Sequence, residues 1–127
     1  MDILIVEDEF HIQRLLRVAL EKKKRGWQVF VAQDADEAIK KLAYCYPEVL
    51  ILDYQIPTWS GIETLAALHR NGLRKGTPVI VLNSRSADDR VEQDMREWQH
   101  EDIVFRFTKP FNPQELVYIV LKTVVTL

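Results

Sequence analysis

Six side chains that are able to bind a cation or a phosphoryl group follow short apolar segments of this sequence. They are Glu7, Asp8, Asp53, Asn83, Ser84 and Lys109. Clustered carboxylates repel one another unless one is protonated or a positive charge lies among them. Mg²⁺ suits such a cluster, because it prefers oxygen ligands and accepts one or two carboxylates together with several waters. A carboxylate beside Mg²⁺ and a lysine is suited to attack a phosphoryl group, since both cations neutralise the transferring oxygens.

The apolar segments that precede these side chains are predicted to be buried strands of a parallel sheet. Val49–Leu52 is a continuous apolar run, which is typical of a strand covered on both faces. The next segment contains Pro57 and Gly61 and cannot continue the strand, so Asp53 is predicted to be its last residue. In parallel sheets the functional residues lie where the strands end, at the carboxyl edge of the sheet. Two further runs have the same character, Ile3–Val6 and Val79–Leu82.

Helices are predicted between the strands. The first runs from about Phe10 to Arg25, and its apolar stripe is Ile12, Leu15, Leu16, Ala19 and Leu20. Capping boxes at Asp34–Glu37 and Ser60–Glu63 open the second and third helices. The second helix carries the stripe Ala38, Ile39, Leu42 and Ala43, and the third buries Ile62, Leu65 and Leu68.

A fourth helix is predicted from Ser86, and a fifth begins at Pro113, where the missing N–H of proline costs nothing. Trp27–Val31 and Ile103–Phe107 are predicted to be the remaining strands. Five strands alternating with five helices through short right-handed crossovers give a doubly wound α/β sheet with helices on both faces.

The composition limits the classes of function. A chain of 127 residues with a net charge of −2 is one domain, with no electrostatic case for binding nucleic acid. No apolar stretch is long enough to cross a membrane. The only cysteine, Cys45, cannot form an internal disulfide, which favours a reducing cytoplasm.

Four short motifs together resemble the receiver domain of two-component response regulators. They are Val6-Glu7-Asp8, Leu52-Asp53 followed by Pro57 and Gly61, Pro78-Val79-Ile80-Val81-Leu82, and Lys109-Pro110-Phe111. The similarity extends over essentially the whole chain, residues 1–127, as a single receiver domain. It implies a flavodoxin-like, or CheY-like, fold with a five-stranded parallel sheet in the order 2-1-3-4-5 and five helices.

The same resemblance implies a role for each site residue. Asp53 would accept a phosphoryl group from a histidine kinase or a phosphotransfer protein, and Lys109 would contact that group. Mg²⁺ would be bound by Asp8, Asp53 and the backbone carbonyl of Gln55, with Glu7 helping through water. The family is a phosphoacceptor with slow self-dephosphorylation rather than an enzyme.

Two positions depart from the family pattern. Asn83 stands where the family has a threonine or serine, and its amide can donate to a phosphoryl oxygen, although it is longer and planar. Ser84 would replace the hydroxyl only if the loop shifted. Arg106 stands where the family has an aromatic residue, and an arginine pays heavily to bury its charge unpaired. We therefore expect an atypical receiver that retains the chemistry but alters its relay.

Several partners and functions remain open at this stage. The receiver reading predicts a downstream protein partner or effector domain, and a homodimer through the fourth helix, fifth strand and fifth helix. Fraying is the favoured explanation for the end of the last helix, and a partner or self-association face is the alternative. The main alternative is a degenerate receiver that binds proteins without phosphorylation. An aspartyl phosphatase would need a second acid two residues after Asp53, where the chain has Gln55.

Overall fold

The computed structural model describes residues 1–55, 59–83 and 102–125. Five strands form one parallel sheet in the order β2-β1-β3-β4-β5, which confirms the predicted topology. The strands are β1 Asp2–Val6, β2 Gln28–Ala32, β3 Pro47–Asp53, β4 Val79–Asn83 and β5 Ile103–Thr108. The described helices are α1 Phe10–Lys23, α2 Ala35–Lys41, α3 Gly61–Arg70 and α4 Pro113–Val125. The helix predicted from Ser86, including Ala87, Val91, Met95 and Trp98, lies outside the described residues.

The sheet is covered on both faces. On one face Ile3 and Ile5 pack in a cluster with residues of α1 and α4, namely Ile12, Leu16, Leu20, Leu116, Val117 and Val120. On the other face Leu4 and Val6 pack with residues of α2 and α3, namely Ala35, Ala38, Leu65 and Leu68. Fully burying each large apolar side chain stabilises the fold by about 1.5–3 kcal/mol. The central strands are therefore rigid supports for whatever follows their carboxyl ends.

Two predicted helices are shorter than their sequence patterns. Helix α1 ends at Lys23 rather than Arg25, and Leu15 is 46% exposed although it was placed on the buried stripe. The buried residues of α1 recur every four positions and form one row along the helix. Leu15 lies outside that row, on a side of the helix that faces away from the sheet. Helix α2 ends at Lys41, so Ala43 lies beyond it and is exposed.

Hydrogen bonds hold both the residue after Asp53 and the start of α3 in place. Asp53 is the last residue of β3, as predicted, and the Tyr54 N–H donates to the Leu82 carbonyl across 2.8 Å. The predicted capping box is present, because Ser60 and Glu63 exchange hydrogen bonds at the start of α3. The Gly61 N–H donates to the Tyr54 carbonyl across 2.9 Å, which holds the start of α3 against the residue after Asp53.

Cys45 is buried, and burial, aided by the charge of Asp2, raises the pKa of its thiol to about 11. The thiol is therefore a packing group rather than a nucleophile. Among the described parts of the chain, no helix is both long enough and apolar enough to cross a membrane.

Candidate functional site

The polar residues predicted to converge do so at the carboxyl edge of the sheet. Glu7 follows β1, Asp53 ends β3, Asn83 ends β4 and Lys109 follows β5. Main-chain hydrogen bonds hold this edge in place: the Lys109 N–H donates to the Asn83 carbonyl across 2.7 Å, and the Glu7 N–H to the Ala32 carbonyl across 2.9 Å. The backbone of the sheet thus delivers the side chains to one place.

Lys109 lies at the centre of the cluster. Its Nζ lies 2.9 Å from Glu7 Oε2 and 3.1 Å from Glu7 Oε1, to which it donates a hydrogen bond. It also donates to Asp53 Oδ2 across 3.1 Å, and it lies 3.7 Å from Glu9 Oε1. The Lys109 side chain is 13% exposed, so one ammonium, largely shielded from water, serves three carboxylates.

The two buried acids carry more negative charge than Lys109 offsets. Glu7 is fully buried and Asp53 is 2% exposed. Burial, reinforced by the charge of Asp53, raises the pKa of Glu7 to about 7. Burial also raises the pKa of Asp53, against the opposing effects of Lys109 and of the Gln55 N–H, which donates to Asp53 Oδ1 across 3.1 Å. A further positive charge, or a proton, is needed to balance the pair.

The two acids determine the pKa of Lys109. Burial alone would lower the pKa of its ammonium, but the hydrogen bonds and charges of Glu7 and Asp53 outweigh burial and raise it. The lysine therefore stays protonated at neutral pH and supplies a permanent cation beside both acids.

The acids also form a set of oxygens suited to a metal ion. One carboxylate oxygen from each of Glu7, Asp8 and Asp53 lies within 4.8 Å of the others, and Asp8 is exposed while the other two are buried. Glu7 Oε2 is buried and, apart from its 2.9 Å charge contact with Lys109 Nζ, has no hydrogen-bond partner among the described residues. An oxygen set that is open to solvent at Asp8 and buried at Glu7 and Asp53 fits Mg²⁺, which takes a few carboxylates and keeps several waters.

Of the remaining predicted site residues, some lie near the cluster, and one lies outside the described part of the chain. Asn83 ends β4 beside the cluster, and its Oδ1 is buried without a hydrogen bond from the described residues. Gln55 is exposed, and its N–H rather than its carbonyl makes the contact seen with Asp53. Arg106 is exposed on β5, between Phe105 and Phe107, whose rings lie 4.6 Å apart. Ser84 lies outside the described residues.

Glu9 is the site residue that sequence reasoning did not single out. The sequence shows it only as the third of three consecutive acids. Its contact with Lys109 depends on how α1 starts, because Glu9 precedes the first helical residue. No spacing rule in the sequence predicts that its side chain turns towards the lysine.

Comparison with known proteins identifies the family to which this arrangement belongs. The family model for the response regulator receiver domain matches residues 3–121, so the chain belongs to the response regulator receiver family. It is 36% identical over 116 residues to the phosphate regulon transcriptional regulatory protein PhoB of Escherichia coli (strain K12). It is 33% identical over 115 residues to the transcriptional regulatory protein ResD of Bacillus subtilis (strain 168).

The match covers 91% of this chain but only 48% of PhoB and 44% of ResD, so the chain spans less than half the length of these two relatives. Protein PilG of Pseudomonas aeruginosa is 29% identical, and the match covers 92% of this chain and 82% of PilG. Among solved structures, the chemotaxis protein CheY4 of Vibrio cholerae superposes with a TM-score of 0.77 at 25% identity, covering 95% of this chain and 96% of CheY4.

Proposed function

We propose that Asp53 accepts a phosphoryl group from a histidine kinase or a phosphotransfer protein, as one step of phosphorelay signal transduction. The observation that carries this proposal is the contact of one shielded lysine with the carboxylate that ends β3. That contact places a cation beside the Asp53 carboxylate, at the sheet edge where an incoming donor can approach. In this reading residues 1–127 form one receiver domain, a phosphoacceptor rather than an enzyme acting on a separate substrate.

In the proposed step an oxygen of the Asp53 carboxylate attacks the phosphorus of the donor. A new P–O bond forms to Asp53, the bond from phosphorus to the donor nitrogen or oxygen breaks, and the leaving atom keeps the electron pair. Lys109 donates to an oxygen of the transferring group and balances its charge. The Asn83 amide can donate to another such oxygen, and Ser84, the next residue in the sequence, is a second candidate donor.

Glu7, Asp8, Asp53 and the Gln55 carbonyl are the residues we propose to hold Mg²⁺, with Glu7 acting through water. When bound, the ion would supply positive charge for the transferring oxygens. The raised pKa values of Glu7 and Asp53 support this assignment, because a cation would relieve the strain of keeping two buried acids together.

The outer side of α1 is the surface we propose for the phosphoryl donor protein. Phe10, Leu15 and Val18 lie on that side, and they are 81%, 46% and 56% exposed. Phe10 is the first residue of α1, two positions after Asp8, so this apolar surface begins at the mouth of the site. Exposed apolar surface beside a reactive group is typical of a protein contact.

A second apolar surface lies between β5 and α4, remote from the mouth of the site. It is a groove of about 350 Å³ lined by Val104, Phe105, Ile119, Lys122 and Thr123. Tyr118 on α4 is 59% exposed. We assign this face to a downstream partner, an effector domain or a second copy of the chain. A monomer by sedimentation at high protein concentration would exclude the second copy. The lone cysteine supports a cytoplasmic location.

The alternative is a degenerate receiver that binds proteins without being phosphorylated. Asn83 and Arg106 favour it, since neither supplies the hydroxyl or the aromatic ring usual at those positions. If Arg106 stays exposed when the site is occupied, the family's usual aromatic rearrangement has no counterpart here.

Intact-mass measurement separates the two functions. The protein is incubated with Mg²⁺ and a small phosphoryl donor, and a base-labile adduct of one phosphoryl group is expected. Asp53→Asn should abolish the adduct, whereas Asp36→Asn, which removes an exposed carboxylate from the first turn of α2, should retain it. Absence of both the adduct and Mg²⁺ binding would support the degenerate receiver instead.

A further inference from the structure

Glu9 occupies a position where its side chain would ordinarily cap a helix. It precedes the first residue of α1 with extended backbone angles, φ −87° and ψ 115°, yet its carboxylate makes no capping hydrogen bond. Shorter polar side chains are preferred at this position because they reach back to the helix N–H groups. Glu9 instead extends to Lys109, with Oε1 3.7 Å from Nζ, and to His11, with Oε2 3.4 Å from Nε2.

The contact of Lys109 with Glu9 differs from its contacts with Glu7 and Asp53. An ammonium has three protons to donate. Glu7 and Asp53 accept hydrogen bonds from it at 3.1 Å and are buried, whereas Glu9 lies beyond hydrogen-bond distance and its side chain is 47% exposed. The Glu9 contact is therefore a charge interaction only, and it is the weakest of the three.

We propose that Glu9 is a specificity-determining residue that disfavours highly charged small phosphoryl donors at Asp53. The inference rests on the proposed phosphoacceptor function. A phosphoryl oxygen that contacts Lys109 would lie at most about 7 Å from the Glu9 carboxylate, since both would contact one ammonium. Glu9 is not among the proposed metal ligands, so its carboxylate would stay at the rim of the site and repel an incoming anionic donor.

The size of the effect follows from charge and exposure. Repulsion over about 7 Å at a partly exposed rim is worth roughly a three- to tenfold change in rate for a donor with two negative charges. A donor with one net negative charge should feel about half of that free energy. Glu9 thus gives an advantage to a protein donor, which brings its own contacts to the α1 surface, over small anionic metabolites.

The test measures the rate of Asp53 adduct formation with acetyl phosphate, which carries two negative charges near neutral pH, and with phosphoramidate, which carries one. Glu9→Gln should react about three- to tenfold faster than the wild type with acetyl phosphate, and clearly less than that with phosphoramidate. The gain should shrink at about 0.5 M salt.

Asp36→Asn is the matched control, because it removes one exposed carboxylate at the same sheet edge without any contact to Lys109. It should change both rates little and equally. Equal acceleration of both donors by Glu9→Gln, or no acceleration with acetyl phosphate, would overturn the proposal.

A second measurement needs no phosphoryl transfer. The affinity for inorganic phosphate in the presence of Mg²⁺, followed by ³¹P NMR, should rise about threefold or more in Glu9→Gln and not in Asp36→Asn. If the wild type forms no adduct with either donor, the proposed phosphoacceptor function fails, and the phosphate affinities still decide whether Glu9 repels anions. Unchanged affinity in Glu9→Gln would reject the role of Glu9.

Discussion

Lys109 Nζ donates to Asp53 Oδ2 across 3.1 Å and so joins the residue after β5 to the last residue of β3, 56 positions earlier in the chain. The same ammonium reaches Glu7, 102 positions away at the end of β1. These contacts exist only because the sheet order places β1 and β3 side by side and brings the β5–α4 connection over their ends. The order of the strands therefore determines that Lys109 neutralises part of the negative charge of Glu7 and Asp53.

Replacing Lys109 with methionine should show how much stability is lost when Glu7 and Asp53 are buried without a cation. We expect the free energy of unfolding of the metal-free protein at about pH 7.5 to fall by about 2–4 kcal/mol, because Glu7 and Asp53 would stay buried without their cation. Urea unfolding measures the change, and added Mg²⁺ should restore part of it. Lys75→Met, at an exposed loop position, is the control. Equal stability of the two variants would contradict the electrostatic role of Lys109.

The pKa of Glu7 predicts how stability depends on pH. Its pKa is about 7 in the folded protein, against an ordinary value of 4.5. Between these two pH values the folded state holds a proton that the unfolded state has released. The free energy of unfolding of the metal-free protein should therefore decrease as pH rises from about 4.5 to 7, and then level off. The loss should be at most about 3 kcal/mol.

The gain in stability from Mg²⁺ should have the opposite dependence, because the ion competes with that proton. It should grow as pH rises through 7. Urea unfolding at several pH values with and without Mg²⁺ measures both effects, and Glu7→Gln should remove most of the slope. A metal-free stability that rises over this interval would show that Glu7 is not the group that holds the proton.

The strand ends were predictable from the sequence because continuous apolar runs and their terminating side chains are local signals. Asp53 was placed at the end of β3 in this way, and the sheet order followed from the family resemblance. Leu15 was misplaced because a helical stripe drawn from sequence is wider than the row that touches the sheet. The Glu9 contact and the burial of Asn83 Oδ1 depend on side-chain directions at element ends, which spacing does not specify.

Phe10 should matter to a protein donor and not to a small one. Because its ring is 81% exposed at the mouth of the site, Phe10→Ser should leave folding and the rate with acetyl phosphate nearly unchanged. Transfer from the cognate kinase or phosphotransfer protein should slow by about tenfold, the loss expected for an exposed aromatic anchor. Tyr46→Ser, which removes a ring that is 75% exposed before β3, is the control. Equal losses in the two variants would remove α1 as the donor surface.

Glycine is required at position 61 because Tyr54 packs too close to leave room for a side chain, and not because of the backbone angles. A Cβ at this position would lie 2.8 Å from Tyr54 Cδ2 and 3.2 Å from Tyr54 Cα. Gly61→Ala should lower the free energy of unfolding by about 1–3 kcal/mol and should slow adduct formation, since Tyr54 follows Asp53 directly.

The control for Gly61→Ala is Gly76→Ala. Gly76 has φ +91° in a remote loop, so a side chain there strains the backbone and lowers stability without touching the site. Adduct rates measured well below the unfolding transition should separate the two variants. If both react at the wild-type rate, the position of Tyr54 does not influence Asp53.

Replacing Asn83 with alanine should raise the stability of the protein but slow adduct formation at Asp53. The Asn83 Oδ1 is buried and accepts no hydrogen bond from the described residues, and such an oxygen costs about 1–3 kcal/mol in the folded state. Asn83→Ala should therefore raise the free energy of unfolding of the metal-free protein by about 1 kcal/mol, after the loss of packing is counted.

The same change removes an amide donor at the edge where the phosphoryl group would arrive, so adduct formation at Asp53 should slow by roughly three- to tenfold. Asn83→Thr restores a donor on a shorter side chain, and it should recover the rate while keeping much of the added stability. Intact-mass kinetics and urea unfolding on the three proteins measure both effects. A slower Asn83→Ala with no gain in stability would mean that the buried Oδ1 finds a partner in solution; a more stable variant with an unchanged rate would mean that the amide does not face the transferring group.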